Sequence, residues 1–331
     1  MSEQPETGSE PKPKLQDVLQ SIYDSVKDNK DGKTAEYIPQ LKDVNPDYFG
    51  ISVCTVDGKT YNFGDTSVPF TLQSCSKPLS YCVAYDLYGL DYIHDYIGFE
   101  PSGAEFNAHI LDRDNKPHNV MINTGAMVII SLLKPELDAS QRYDIIMDYY
   151  SRMSGLGSGK RLGFNNSIFL SERDNADRNI SLAYFMREKG ALPKKTDHSI
   201  IMADLNLYFQ CCSISANCKQ AAVIAATLAN GGKCPTTKEQ VFSSEAARDC
   251  LSLMYNCGMY DYTGQFSFRV GLPAKSGVSG CVMLVVPGKY GICIYSPPLD
   301  RNGNSVRGVE VCKRISTELN EHMFHKWFHK V

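Results

Sequence analysis

The chain has 331 residues, 43% hydrophobic and 21% charged, so it can bury a sizeable core and disorder throughout is excluded. Thirty-four Lys and Arg against 37 Asp and Glu leave a net charge of -3, which gives no electrostatic footprint for nucleic acid or an anionic membrane. The length suits one large domain or two closely packed ones and excludes a small disulfide-stapled scaffold.

Residues 1–14 form a polar, acidic Pro/Glu/Ser tail. It lacks the apolar stretch of a signal peptide and the Arg-rich amphipathic character of a mitochondrial presequence, and a leader removed before this numbering stays open. Residues 15–29 place Leu15, Val18, Leu19, Ile22 and Val26 at helical spacing. Runs at 51–56 and 60–63 flank Asp57-Gly58, a hairpin signal. Residues 74–87 read as a helix that tolerates Pro78 in its first turn.

From 90 to about 196 the pattern is mostly helical, with segments at 127–133, 141–153 and 179–189. Two more helices follow at 214–230 and 244–255, then strands at 266–270, 280–286 and 290–295, and a closing amphipathic helix at 309–331. Strands at both chain ends with helices between predict an α/β (α+β) fold: one antiparallel sheet built from both termini, flanked by helices. The sheet part takes 15–89 and 214–331, and 90–213 is an inserted, mainly helical part. No apolar run approaches the roughly 18 residues of a membrane-spanning helix. The 12 cysteines are scattered with no CxxC pair. They read as reduced, structural thiols, which suggests the cytosol or the mitochondrial matrix.

Several signatures fail on inspection. Gly155-Leu156-Gly157-Ser158-Gly159-Lys160 lacks the first glycine and the final Ser or Thr of a P-loop, and reads as a surface turn. There is no GxSxG and no HExxH. His322, His325 and His329 cluster near Glu318 and Glu321, but ordinary pairing on a solvated helix explains them more simply than a metal site. No cofactor or metal is expected.

A Ser-x-x-Lys motif occurs three times, at Ser9, Ser74 and Ser131. Ser9 lies in the tail and Ser131 inside an apolar helix, whereas Ser74 opens a helix after a β-like segment. There a lysine one turn on reaches the serine hydroxyl, and desolvation lets its amine accept the proton. Lys275-Ser276-Gly277, just before the 280–286 strand, completes the pairing of Ser-x-x-Lys and Lys-Ser/Thr-Gly used by serine β-lactamases and penicillin-binding enzymes.

Six blocks carry a more specific resemblance. They are Gln73-Ser74-Cys75-Ser76-Lys77-Pro78; Pro117-His118-Asn119-Val120-Met121-Ile122-Asn123-Thr124-Gly125-Ala126; Ser171-Glu172-Arg173 with Asp177-Arg178-Asn179; Tyr208-Phe209-Gln210; Cys257-Gly258-Met259-Tyr260-Asp261; and Lys275-Ser276-Gly277-Val278. In this order, from Tyr37 to about Val311, the chain resembles the serine-dependent glutaminases, which hydrolyse L-glutamine to L-glutamate and ammonia on a β-lactamase-like fold. The runs Ser296-Pro297-Pro298-Leu299-Asp300 and Gly303-Asn304-Ser305 resemble the animal-type branch.

The resemblance implies Ser74 as nucleophile, Lys77 as its base and Tyr260 as proton relay to the leaving ammonia. It implies an oxyanion hole from the Ser74 and Val278 N–H groups, and substrate contacts from Tyr37, Gln73, Asn123, Glu172, Asn179 and Tyr208. It also implies dimers or tetramers of the chain, with phosphate as a candidate activator. The chain departs from the kidney-type members at Ala108-His109-Ile110 and at Tyr184-Phe185, in the loop and helix that govern phosphate activation and tetramer pairing there. Two other readings stand beside this one: a β-lactamase or peptidase-like acyl hydrolase, and a non-catalytic relative that binds glutamine. Asn123 could instead cap a helix, and Glu172 could pair with Arg173 or Arg178 on the surface.

Overall fold

The computed structural model describes residues 14–157, 159–193 and 197–325. Helix α1 (Leu15–Val26) buries Leu19, Ile22 and Val26 on one face, and the one-turn α2 (Pro39–Lys42) starts on Pro39. Strands β1 (Gly50–Thr55) and β2 (Thr60–Gly64) form the hairpin across Asp57-Gly58. The short β3 (Phe70–Thr71) runs into a 3-10 turn, Gln73–Cys75, and then helix α3 (Ser76–Tyr88). The middle of the chain supplies α4 (Leu90–His94), α5 (Asn123–Leu132), α6 (Ala139–Met153), β4 (Gly163–Phe164), α7 (Asn166–Asp174), α8 (Asp177–Glu188) and α9 (His198–Cys212). The rest comprises β5 (Ile214–Ala216), α10 (Cys218–Ala229), α11 (Ser244–Cys257), a 3-10 turn at Tyr260–Tyr262, α12 (Thr263–Arg269), β6 (Ala274–Gly277), β7 (Cys281–Val286), β8 (Tyr290–Tyr295) and α13 (Val306–Glu318).

The main sheet is antiparallel, in the order β2-β1-β8-β7-β6, so both chain ends build it as the sequence predicts. Every residue of β7 and β8 is buried, because helices cover both faces of the sheet. On one face α1 and α13 pack Ile22 and Ile315 against Ile51, Val282 and Ile294. On the other lies the alanine-rich α10, whose close approach requires Gly291: a Cβ there would fall 2.0 Å from the Ala226 nitrogen. A second sheet, β3-β5-β4, ties the start of the Ser74 segment to the helical part through the Leu72 N–H and the Ile214 carbonyl, 2.9 Å apart.

Three expectations need correction. Residues 266–270 are not a strand. Their apolar alternation mimics one, but Phe266 and Val270 point inward one helical turn apart while Phe268 is 84% exposed, the pattern of α12. The 214–230 segment divides: Ile214–Ala216 is β5, and Asn217 then caps α10 in a reciprocal box with Gln220. Lys275-Ser276-Gly277 precedes the strand β7 as expected, and itself forms the edge strand β6. The last helix stops at Glu318, where Asn320 takes a left-handed conformation (φ 54°) and Glu321 turns inward to accept bonds from Lys289 and Tyr290. His322 therefore lies beyond the helix, near the Phe268 carbonyl, and His329 lies outside the described residues. Among the described residues no three His, Cys, Asp or Glu side chains form a metal-binding group, and no helix is long and apolar enough to cross a membrane.

Candidate active site

The segment from Leu72 to Lys77 is bent tightly. Gln73 sits at φ 48°, a left-handed conformation that costs a non-glycine residue about 1 kcal/mol or more. The Ser76 hydroxyl donates to the Gln73 carbonyl (2.7 Å), and the Tyr150 hydroxyl donates to the Ser76 carbonyl (2.8 Å), pinning the turn from below. Ser74 lies in the 3-10 turn and α3 proper begins two residues later, slightly after the predicted start. Pro78 stands third in that helix, where its missing N–H costs no bond.

Lys77 is only 2% exposed, and its Nζ donates to Asn123 Oδ1 at 2.7 Å. Asn123 also accepts from the Tyr208 hydroxyl (3.3 Å) and donates to Asn179 Oδ1 (3.0 Å). Its side chain is thus a junction of the site and not a helix cap; Ile122 occupies the cap position of α5. Burial, and then the charge of Lys275, push the Lys77 amine down to about 7. A lysine tuned there exists substantially as free base at neutral pH.

At the other end, the Tyr37 hydroxyl donates to Glu172 Oε1 at 2.6 Å and lies 3.5 Å from Gln73 Oε1. The Tyr37 ring is 48% exposed, yet its hydroxyl reaches into the cleft, where burial and then Glu172 hold it well above the usual phenol range. Burial raises the Glu172 carboxyl, opposed by bonds from Tyr37 and Gln73. The surface pairing of Glu172 does not form: Arg173 pairs with Asp174, and Arg178 meets His109. A small apolar patch fixes this end, with Ile38 and Leu41 beside Tyr37, Ile168 one turn before Glu172, and Val278 packed against them.

Val278 stands in the turn joining β6 to β7, and its N–H has no acceptor among the described residues. The strand before it runs so near the Ser74 turn that a Cβ on Gly277 would lie 2.9 Å from the Leu72 carbonyl oxygen and 3.2 Å from Cys75 Sγ. Tyr260 comes from the third direction at φ 51°. Its hydroxyl is buried, faces Ser74 and forms no completed hydrogen bond; burial raises it, and the Ser74 hydroxyl opposes that. Tyr208 is likewise raised well above the phenol range by burial.

Three supports of Tyr260 had no role assigned to them from sequence. Asn304, fully buried, donates to the Met259 carbonyl at 3.2 Å; the Phe106 ring lies 5.1 Å from the Tyr260 ring; and Lys275 Nζ sits 4.5 Å over that ring. Phe106 also lines a cavity of 310 Å³ against Tyr260. The Gly303-Asn304-Ser305 run and the Lys-Ser-Gly motif were the available signals. The rival Ser-x-x-Lys at Ser131 is spent inside α5, where its hydroxyl donates to the Val128 carbonyl (2.8 Å); Ser9 lies outside the described residues.

An antiparallel sheet covered by helices brings a half-buried Ser74, a buried Lys77 and the buried hydroxyl of Tyr260 to one cleft, an arrangement of the β-lactamase-like class. Residues 32–324 match the glutaminase family model, and the chain belongs to the glutaminase family. It is 46% identical over 303 residues to the mouse protein "Glutaminase liver isoform, mitochondrial" (92% of this chain, 49% of that one). It is 48% identical to "Putative glutaminase 2" of Caenorhabditis elegans (93% and 50%), and 43% identical to "Glutaminase" of Nostoc sp. (98% and 95%). The chain spans about half the length of the animal relatives and nearly all of the Nostoc one. Among solved structures, a probable glutaminase, ybaS, superposes with a TM-score of 0.87 at 31% identity, covering 94% of this chain and 98% of that one. Mglu in its tris and glutamate form gives 0.86 at 37% identity, covering 93% and 67%.

Proposed function

We propose that this chain hydrolyses L-glutamine to L-glutamate and ammonia through a glutamyl ester on Ser74. Lys77 takes the Ser74 proton as the hydroxyl oxygen attacks the side-chain amide carbon, and the resulting oxyanion is held by the Ser74 and Val278 N–H groups. Tyr260 relays a proton to the departing ammonia, and water then cleaves the ester by the same route in reverse order. Glu172 receives the substrate ammonium, with Tyr37 and Gln73 beside it, while Asn123, Asn179 and Tyr208 offer neutral groups to the carboxylate.

The observation that carries this reading is Lys77: buried, bonded to a neutral amide and one turn from Ser74, with no carboxylate within ion-pair distance among the described residues. Ammonia release from glutamine by the whole chain, set against hydrolysis of a chromogenic β-lactam, tests it. Turnover of glutamine alone supports the proposal, turnover of the β-lactam alone supports the acyl-hydrolase alternative, and inactivity towards both marks a non-catalytic relative.

The resemblance further supports self-association into dimers or tetramers and phosphate as an activator. The departures at Ala108-His109-Ile110 and Tyr184-Phe185 make sedimentation with and without phosphate the measurement of interest. Its twelve free thiols, eleven of them buried, favour a reducing compartment, cytosol or mitochondrial matrix.

A further inference from the structure

Lys275 is fully buried on β6, and its Nζ donates to the Ser276 carbonyl at 2.7 Å while lying 4.5 Å over the Tyr260 ring. Neither Lys275 nor Lys77 has a carboxylate partner among the described residues. Two buried amines in one dry site are costly to protonate together, because the interior screens their repulsion poorly. We propose that Lys275 is a positioning residue that holds the cleft's one stable cation, so that Lys77 is left as the free base for Ser74. The inference rests on the Ser74/Lys77 reading.

The surroundings decide which amine keeps the proton. Lys275 has the negative face of the Tyr260 ring, a backbone carbonyl, and the thiols of Cys75, Cys257 and Cys281 around it. Burial raises the Cys281 thiol, but bonds from Cys293 and Cys75 and then the Lys275 charge pull it down on balance. All of these favour a cation at Lys275. Lys77 faces Asn123 and the thiols of Cys212 and Cys75, with Lys275 opposing its charge. Of the nearby carboxylates, Glu172 accepts from the Tyr37 hydroxyl and its charge acts on Cys212, and the charge of Glu100 acts on Cys257; neither forms an ion pair with either lysine among the described residues. Burial lowers both amines, and Lys77 is lowered further by the charge of Lys275, so the pair sheds its protons in two linked steps. The same ammonium, stacked on the ring, helps hold Tyr260 in its left-handed conformation against Ser74.

The test is the pH profile of kcat/KM for glutamine in the wild type, Lys275→Met and Lys275→Arg, with folding checked by circular dichroism. In Lys275→Met the like charge is gone, so the acid limb should move to higher pH, with activity lost several-fold near pH 7 and largely regained near pH 9. Lys275→Arg, which retains a cation, should keep the limb at or below the wild-type position. A Lys275→Met profile lowered equally at every pH, its limb unmoved, would overturn the proposal. Should that variant not fold, 15N-lysine NMR of the wild type decides: two linked buried-lysine titrations support the pair, and a Lys77 titration independent of Lys275 contradicts it. Persistence of the limb in an active Lys77→Ala enzyme would instead remove the Ser74/Lys77 reading on which the inference rests.

Discussion

The two ends of the cleft are built on opposite electrostatics. Among the described residues, the Ser74 end buries two lysines without a carboxylate partner, and the Tyr37 end holds a half-buried carboxylate without a cation partner. Each arrangement is costly alone, since an unpaired ionisable group loses its hydration and gains no partner. The protein reduces that cost differently at each end. Burial lowers the amines of both lysines, whereas Glu172 is met by the Tyr37 hydroxyl and, in the proposed function, by the ammonium of the substrate. The two ends suggest a division of labour for the proposed reaction: an amine lowered by burial suits proton acceptance, and a carboxylate among neutral donors suits a charged ligand.

The sharpest way to break the comparison is to remove the nucleophile. Ser74→Ala should lower ammonia release from glutamine by roughly 10³-fold or more while the protein stays folded. Ser131→Ala, which deletes only a bond to the preceding turn of its own helix, should leave turnover near wild type. Comparable activity in both variants would erase the distinction between the two motifs.

Next in size is the opposite end. Glu172→Gln should cost on the order of 10²-fold in kcat/KM for glutamine, and much less for a des-amino analogue that the wild type handles poorly. The two losses should be non-additive, as they are when two groups share one contact. Equal proportional losses on both substrates would place Glu172 outside ammonium recognition.

Stability sharpens the contrast further. Both lysines titrate lower in the folded chain than in the unfolded one, so between about pH 7 and pH 10 the unfolded state binds more protons. Their burial therefore destabilises the fold most below that window, and the urea midpoint should rise with pH across it. Lys275→Met should flatten the rise; an unchanged slope would mean that Lys275 is not the titrating partner.

A smaller effect separates scaffold from site. Gly291→Ala drives a methyl into α10 and should cost about 1–3 kcal/mol of stability, with kcat for glutamine near wild type in the fraction that remains folded. Loss of kcat without loss of stability would show that α10 communicates with the cleft.

How far the sequence carried this picture depends on the kind of signal. The Asp57-Gly58 hairpin, the continuous apolar runs of β7 and β8, and the six motif blocks were legible because each is local and chemically distinctive. The 266–270 segment misled because Phe268, an exposed aromatic, completed a false alternation. The end of α13 was hidden because Asn320 and the inward turn of Glu321 depend on Lys289 and Tyr290, which are distant in sequence. The candidates Ser74, Lys77 and Glu172 came from motif order. The part proposed for Lys275 did not, since its charge acts on Lys77 only once β6 is laid against the Ser74 turn.

The most direct measurement is the acid limb of kcat/KM for ammonia release from glutamine by the wild-type chain between pH 5.5 and 9. A neutral Lys77 acting as the base of Ser74 predicts activity rising with pH through an apparent pKa near the value of about 7 set by its burial, and loss of that limb together with the activity in Lys77→Ala. A profile flat across this range, or one rising only toward the roughly 10.4 of a solvated lysine, would contradict it.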